Sequence, residues 1–302
     1  MYRNIYLTLY FISWLFNLSN AAYLYPQKSK RGEGSFKFRI FDLNIKADKN
    51  YDYGQRVWSE RKNATIEAIL ASSSEYATII TLQEALVTQV KDIEDGLNKN
   101  GGSSWTYFGA GADDGVEAGQ FNPIFYDEKR WKLDRGIQKW MSFTPDVPSV
   151  YGGTEKRIFV VATLVHKESG HAVNVVNTQL DDKEVILRNF WCIDIVDYIR
   201  EQDEIHRILP VIVSGDLNSG EENIPYRILS RYFFDSSKVA KEQIIPFSTV
   251  SGFSGYEGKT SDFVFMNPSA SKLSTTRYEV MDNKDGKYRF SSHRPVVVDF
   301  ST

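Results

Sequence analysis

Cysteine is almost missing from this chain, with Cys192 alone among 302 residues. No intramolecular disulfide can form, so the folded state must rest on an apolar core. Cys192 itself sits in an apolar helical pattern and reads as a buried small hydrophobe. No Pro/Ser-rich linker and no fixed-period repeat interrupts the hydrophobic segments, so one large domain is expected. An excess of basic charge is missing too. Residues 1–31 hold Arg3, Lys28, Lys30 and Arg31 and no acid, and the remainder has 32 basic and 39 acidic residues, a net charge of −7. That argues against a general nucleic-acid binder, which needs a positive field. It leaves open a nuclease that works through a metal ion.

Charge of either sign is also absent between Arg3 and Lys28. Ile5 to Phe16 is mostly apolar, and Ser19-Asn20-Ala21-Ala22 offers small residues for cleavage. This is the layout of a secretory signal peptide over residues 1–22, which predicts a secreted, extracellular protein. An uncleaved signal anchor is the alternative, because Tyr2 to Leu18 approaches a membrane-spanning length. Residues 23–35 then form a leader, with Lys30-Arg31 either a propeptide cleavage site or two solvated charges. Residues 36–302 are left for the domain. Asn63-Ala64-Thr65 is a glycosylation sequon, although it falls inside a helical pattern.

Alternation from Phe36 to Ile45 predicts a strand ending near Asn44. Val57–Ala71 has helical spacing, Tyr76–Leu82 reads as a strand ending in Gln83-Glu84, and Ala85–Leu97 as a second helix. Gly109–Gly119 reads as a solvated loop, and Asn122–Trp140 as a hairpin turning around Asp127-Glu128. Pro145–Gly153 is another loop. Ile158–Val165 and Ala172–Thr178 are strands. Lys183–Arg200 is a helix whose apolar repeat runs through Ile186, Phe190, Ile193 and Val196 or Asp197. A short helix covers Pro225–Arg231, and Thr260–Phe265 and Pro295–Phe300 are late strands. Trp105, Trp131, Trp140, Tyr151 and Phe253 lie near loops, with core packing the expected role for most of them.

The stretch Val211–Ser219 stands out. Three apolar residues, Val211 to Val213, read as a buried strand, and the turn after them carries Asp216 and Asn218. On extended backbone, residues two apart point to one side, so a carboxylate and a carboxamide would emerge together at a sheet edge. Turn chemistry alone explains the same residues. What weighs against chance is repetition: Asn44, Glu84, Gln179, Asp216 with Asn218, Asp262 and His293 each follow a strand. A layered fold could gather those ends into one pocket.

The ordered set resembles the endonuclease/exonuclease/phosphatase superfamily, the DNase I-like phosphoesterases, over about Phe36 to Phe300. The resemblance rests on Asn44, Gln83-Glu84, Asn177-Thr178-Gln179-Leu180, Gly215-Asp216-Leu217-Asn218, Asp262-Phe263 and Ser291-Ser292-His293-Arg294-Pro295, together with the Ile124-Phe125-Tyr126 strand of secreted members. It implies an α/β fold, a four-layer αββα sandwich of two packed, mostly antiparallel mixed sheets flanked by helices. It also implies phosphoester hydrolysis with Mg²⁺ or Mn²⁺. By position, Glu84 would ligate the metal with Asn44 nearby. Asp216 and Asn218 would orient water and phosphate, and His293, paired with Asp262, would act at the phosphoryl centre. Hard divalent ions prefer such oxygens. Arg157 and Arg188 would add positive charge to a phosphate pocket, or form surface ion pairs. A phosphoester substrate is the partner implied; no protein partner is, and a monomer is expected.

Three positions depart from the family pattern. The His after Asn-Thr is Gln179, the acid before the Ile-Phe-Tyr strand is Gln120, and the Asp before the last His is Ser292. Two amides in place of a His–carboxylate pair would bond each other and carry no charge, and neither can act as a general acid. A positioned acid contributes about 10²–10⁴-fold. Its loss slows a reaction without abolishing it, and Gln179→His would then restore it. Two functions follow: a secreted, metal-dependent phosphoester hydrolase with an altered general acid, or a family member with little turnover that binds a phosphate ligand.

Overall fold

The computed structural model describes residues 36–73, 75–153, 155–206, 209–267 and 273–302. The signal-peptide, leader and Lys30-Arg31 readings lie outside them. No helix among these residues is long and apolar enough to cross a membrane.

Fifteen strands and five helices make up the described chain. In chain order they are β1 (Lys37–Asn44), α1 (Trp58–Ser73), β2 (Ala77–Gln83), α2 (Val87–Asn98), β3 (Trp105–Phe108), β4 (Ile124–Asp127), β5 (Trp131–Trp140), β6 (Ile158–His166) and β7 (Ala172–Gln179). There follow α3 (Val185–His206), β8 (Val211–Asp216), α4 (Ile224–Tyr232), β9 (Phe234–Asp235), α5 (Ser236–Val239), β10 (Glu242–Ile244) and β11 (Asp262–Met266). The last four strands are β12 (Ser274–Val280), β13 (Lys284–Asp285), β14 (Tyr288–Arg289) and β15 (Val296–Ser301). One sheet has the order β10-β12-β15-β1-β2-β4-β3, a second has β5-β6-β7-β8-β11-β9, and β13-β14 is a separate ribbon. The pairs β1/β2, β10/β12 and β7/β8 are parallel and the other pairs antiparallel. This is the expected sandwich of mostly antiparallel mixed sheets.

Three apolar clusters explain the layering. Phe38, Ile40, Ile79, Val175 and Ile212 belong to the one between the sheets. Ile66 and Ile69 of α1 and Val90 and Ile93 of α2 pack on Phe41, Leu43 and Ile80 outside the first sheet. Leu187, Trp191 and Ile195 of α3 and Leu229 of α4 pack on Val176, Val211 and Val213 outside the second. Each fully buried Ile or Val contributes about 1.5–3 kcal/mol from burial.

The inner faces change character along the strands. Because side chains alternate, β1 sends Phe38, Ile40, Asp42 and Asn44 inward, and β2 sends Ile79, Thr81 and Gln83. β7 sends Val175, Asn177 and Gln179, and β8 sends Ile212, Ser214 and Asp216. Each strand is apolar at one end and polar at the other. The parallel registers Asn44↔Gln83 and Gln179↔Asp216, and the antiparallel Asp262↔Asp216, line those polar ends up in rows.

Several local expectations need correction. Asn122–Trp140 is no hairpin: β4 pairs with β2 and β3, whereas β5 pairs with β6 in the other sheet. The turn after Asp127 carries the chain across the sandwich, and Ile124, Tyr126 and Trp131 meet in the inter-sheet core from opposite sides. The repeat Ile186, Phe190, Ile193 is exposed, and Leu187, Trp191 and Ile195 are buried instead. That helix is apolar on two faces, so periodicity alone could not choose between them. Trp105 opens β3 just after a loop and is buried in the core as expected, and β12 carried no clear alternation because Thr275, Tyr278 and Val280 are buried around a register shift. Trp131, Trp140 and Phe253 are core residues as expected, Tyr151 is exposed, and Cys192 is buried. Asn63 lies on the exposed side of α1.

Candidate active site

The polar strand ends meet between the sheets. Asn44 Nδ2 donates to Glu84 Oε1 at 2.9 Å and to Asp216 Oδ2 at 3.1 Å. Gln179 Nε2 donates to the same Glu84 Oε1 at 2.8 Å. These bonds join the two sheets directly at their rim. Beneath them lies a second polar layer. Gln83 Nε2 bridges Asp42 Oδ1 and Asn177 Oδ1, both at 2.8 Å, and the Ser214 hydroxyl reaches Asp42 Oδ1 at 2.6 Å. Only the strand alternation that puts these residues on the inward faces marks this layer in the sequence.

Glu84 directly follows β2 with a left-handed φ of +59°. That conformation is uncommon outside glycine and marks a residue held against strain by its surroundings. Burial alone would raise the Glu84 carboxyl. Lys46, the Asn44 amide, His293 and Gln179 outweigh it and hold the pKa at about 2. Asp216 is raised, first by burial and then by repulsion from Asp262.

Across the rim, His293 Nδ1 lies 3.0 and 2.9 Å from the two oxygens of Asp262. Burial opposes charge on this imidazole, but Asp262, Asp216 and Glu84 reverse the balance and raise it to about 9. The loop that carries His293 is pinned. Asn283 Nδ2 donates to the His293 carbonyl at 2.8 Å, and Val250 forms a β-bridge with His293. Ser292, in place of an acid, uses its carbonyl to accept the Ser251 and Gly252 N–H groups.

Asp216 and Asn218 do not project side by side from a strand. β8 ends at Asp216, and Asn218 has a φ of +46°. Asp216 Oδ1 accepts the Asn218 N–H at 2.9 Å, and Asn218 Nδ2 donates to the Leu180 carbonyl at 2.8 Å. The pair is a tight turn in which the carboxylate closes on its own backbone. Arg188 donates to the Asn218 carbonyl and so braces that turn from α3.

The two glutamines do not bond each other as expected. Arg157 stands between them. Its Nη1 donates to Gln179 Oε1 at 2.7 Å and to Gln120 Oε1 at 3.3 Å, and its Nη2 to Asp182 at 3.0 Å. Arg157 is buried, yet it also pairs with Asp182 at 3.0 Å and Glu155 at 3.5 Å, so it contacts the site and forms ion pairs at its edge. The guanidinium turns the Gln179 oxygen toward itself and the NH₂ toward Glu84. Two charge-free amides leave room for a cation that a His–carboxylate pair would repel or neutralise.

Asp216, Asp262 and His293 each offer a ligand atom within 4.8 Å of one another, and hard carboxylate oxygens are suitable donors for Mg²⁺ or Mn²⁺. Glu84 lies outside that group; its Oε2 accepts the Ala47 N–H at 3.4 Å and pairs with Lys46 at 3.6 Å. The donor chemistry therefore fits a divalent ion. Asn44 ties the carboxylates of the two sheets together. Its NH₂ faces two carboxylates and its oxygen accepts the Lys46 N–H at 3.0 Å, so it is a bridge between them. Lys46 itself is a site residue that the sequence reading missed; two positions past Asn44, it carries no strand-end signal.

No family model matches the sequence, and no curated protein matches it. Solved structures do match. An endonuclease/exonuclease/phosphatase family protein from Bacteroides thetaiotaomicron superposes with a TM-score of 0.79 at 22% identity, over 89% of this chain and 96% of that one. A mannosyl-6-phosphatase from the same organism gives 0.78 at 22%, over 87% and 99%. The human Nocturnin catalytic domain with bound sulfate gives 0.65 at 20%, over 87% and 94%. At such identities the likeness speaks to architecture. From Lys37 to Ser301, the chain has the DNase I-like αββα fold of the endonuclease/exonuclease/phosphatase proteins.

Proposed function

We propose that this protein is a divalent-metal-assisted phosphoester hydrolase with an altered general acid. The observation that carries the reading is the convergence of Glu84, Asp216, Asp262 and His293 on one rim, tied across the sheets by Asn44 and Gln179. The solved structures of like fold include a phosphatase, which supports the class and not the substrate. Asp262 fixes one face of His293 by accepting from Nδ1, which leaves Nε2–H to bond a phosphoryl oxygen or give a proton. Asp216, held by Asn44 and the Asn218 N–H, is placed to orient an attacking water and take its proton. Glu84 Oε2, with the neighbouring carboxylates, would hold the ion. When bound, it supplies positive charge that polarises a phosphoryl oxygen and offsets charge in the transition state. Gln120, Gln179 and Arg157 give no proton at neutral pH, so proton delivery falls to His293. The apolar, uncharged segment before Lys28 supports export of the mature chain.

Hydrolysis of a phosphomonoester and a phosphodiester with Mn²⁺, beside Asp216→Ala, tests the proposal. The wild type turns over at least one of them, and Asp216→Ala loses about 10²-fold or more, as removal of a positioned acid–base group does. Equal rates at background in both would sink it. A second reading, a phosphate-ligand binding protein with little turnover, draws on the Arg157 clamp, which puts a guanidinium against the two amides that replace the acid–base pair. It predicts phosphate binding by the wild type with no hydrolysis.

A further inference from the structure

Lys46 places its ammonium between two carboxylates, 3.6 Å from Glu84 Oε2 and 3.2 Å from Asp52 Oδ2. Its backbone has no such choice. The N–H donates to Asn44 Oδ1 at 3.0 Å, and the carbonyl accepts Gln89 Nε2 at 3.1 Å and Arg61 Nη2 at 3.0 Å. Arg61 is itself buried, and its Nη1 also holds the Ile45 and Phe290 carbonyls. Lys46 has a φ of +58°, a left-handed conformation that such anchoring maintains. The main chain is therefore fixed, while a flexible four-carbon stem lets the ammonium move between partners.

The two oxygens of Glu84 are not equivalent. Oε1 accepts both the Asn44 and the Gln179 amides, at 2.9 and 2.8 Å. Oε2 accepts only the Ala47 N–H, at 3.4 Å, besides its ion pair with Lys46. Oε2 is thus the oxygen left for an ion, and Lys46 stands against it. Asp52 is a ready alternative: its side chain is 50% exposed against 12% for Glu84, so the ammonium moves toward water when it leaves.

We propose that Lys46 is a tethered cation that competes with the divalent ion for Glu84 Oε2, and that Asp52 receives it when the ion binds. This rests on the metal-assisted reading above. Metal affinity is then set by the difference between two ion pairs, so substitutions at the two ends act in opposite directions. A role confined to shaping the loop would make both substitutions weaken the site.

The test is calorimetric titration of the full chain with Mn²⁺, using the wild type, Lys46→Met, Asp52→Asn and Glu84→Gln, with circular dichroism to verify folding. Lys46→Met binds about tenfold more tightly, the lower end of what outer-shell changes do to metal affinity, and Asp52→Asn about tenfold less tightly. Binding by Lys46→Met equal to or weaker than the wild type overturns the proposal, as does tighter binding by Asp52→Asn. If the wild type still binds and Glu84→Gln does not, the metal reading survives that result. If neither the wild type nor Lys46→Met binds, both readings fall. Should Lys46→Met not fold, the sign of the Asp52→Asn effect decides.

Discussion

At Gln179 a single carboxamide faces a guanidinium on one side and a carboxylate on the other, with Arg157 Nη1 2.7 Å from its oxygen and Glu84 Oε1 2.8 Å from its nitrogen. Sequence alone makes Gln179→His the obvious repair of a missing acid. The geometry argues otherwise. An imidazole there would sit beside a fixed positive charge, which lowers its proton affinity. Gln179→His by itself is expected to leave the rate within about tenfold of the wild type, well short of the 10²–10⁴ of a positioned acid. Joined to Gln120→Glu, which puts a carboxylate on the Arg157 Nη1 that now holds both glutamines, it should raise the rate further; steady-state hydrolysis of the wild type, the single and the double variant settles this. A rise of several orders of magnitude from Gln179→His alone would show that Arg157 does not govern this corner. With proton delivery left to His293, the rate across a series of aryl phosphates should fall more steeply as the leaving phenol becomes less acidic in His293→Ala than in the wild type, and equal slopes would mean that His293 does not protonate the leaving group.

Strands, more than helices, carried the information in the sequence. Phe38, Ile40, Asp42 and Asn44 alternate inward on β1, and the same period on β2, β7 and β8 predicts which side chains face the pocket. Asn44, Glu84, Gln179 and Asp216 were legible because each terminates an apolar run, whereas Asp262 opens β11 and His293 precedes β15 instead of following a strand as expected. Lys46 was not, because its importance comes from a left-handed turn that no pattern marks. Arg157 was ambiguous because burial is a property of the assembled sheets. The crossing between β4 and β5 was hidden by a short turn that suits a hairpin equally well, and α3 by apolar residues on two faces. The alternation also implies a cost within the elements. Asp42 is fully buried, with three donors on Oδ1 and no hydrogen-bond partner for Oδ2. Burial, only partly offset by Ser214 and reinforced by Asp262, raises its carboxyl from 3.8 to about 7. Between those values the folded chain keeps a proton that the unfolded chain has released, so this group's contribution to stability falls as pH rises. Urea midpoints at about pH 5 and about pH 8 should drop more for the wild type than for Asp42→Asn. Equal drops would mean that Asp42 does not titrate in this window.

For the molecule as a whole, two sheets pack so that apolar residues fill most of the interior and polar ones gather at one rim. The stable scaffold and the reactive rim come from the same alternation, read at opposite ends of the strands. Architecture alone does not set chemistry, and the fold neighbours differ in what their names say they act on. The claim about this chain therefore stands on its own rim. The most direct measurement is the Mn²⁺-dependent hydrolysis rate of the wild type against His293→Ala, on one phosphomonoester and one phosphodiester. The account predicts turnover of at least one substrate by the wild type and a loss of about 10²-fold or more on it in His293→Ala. Turnover that is the same in both proteins would contradict it.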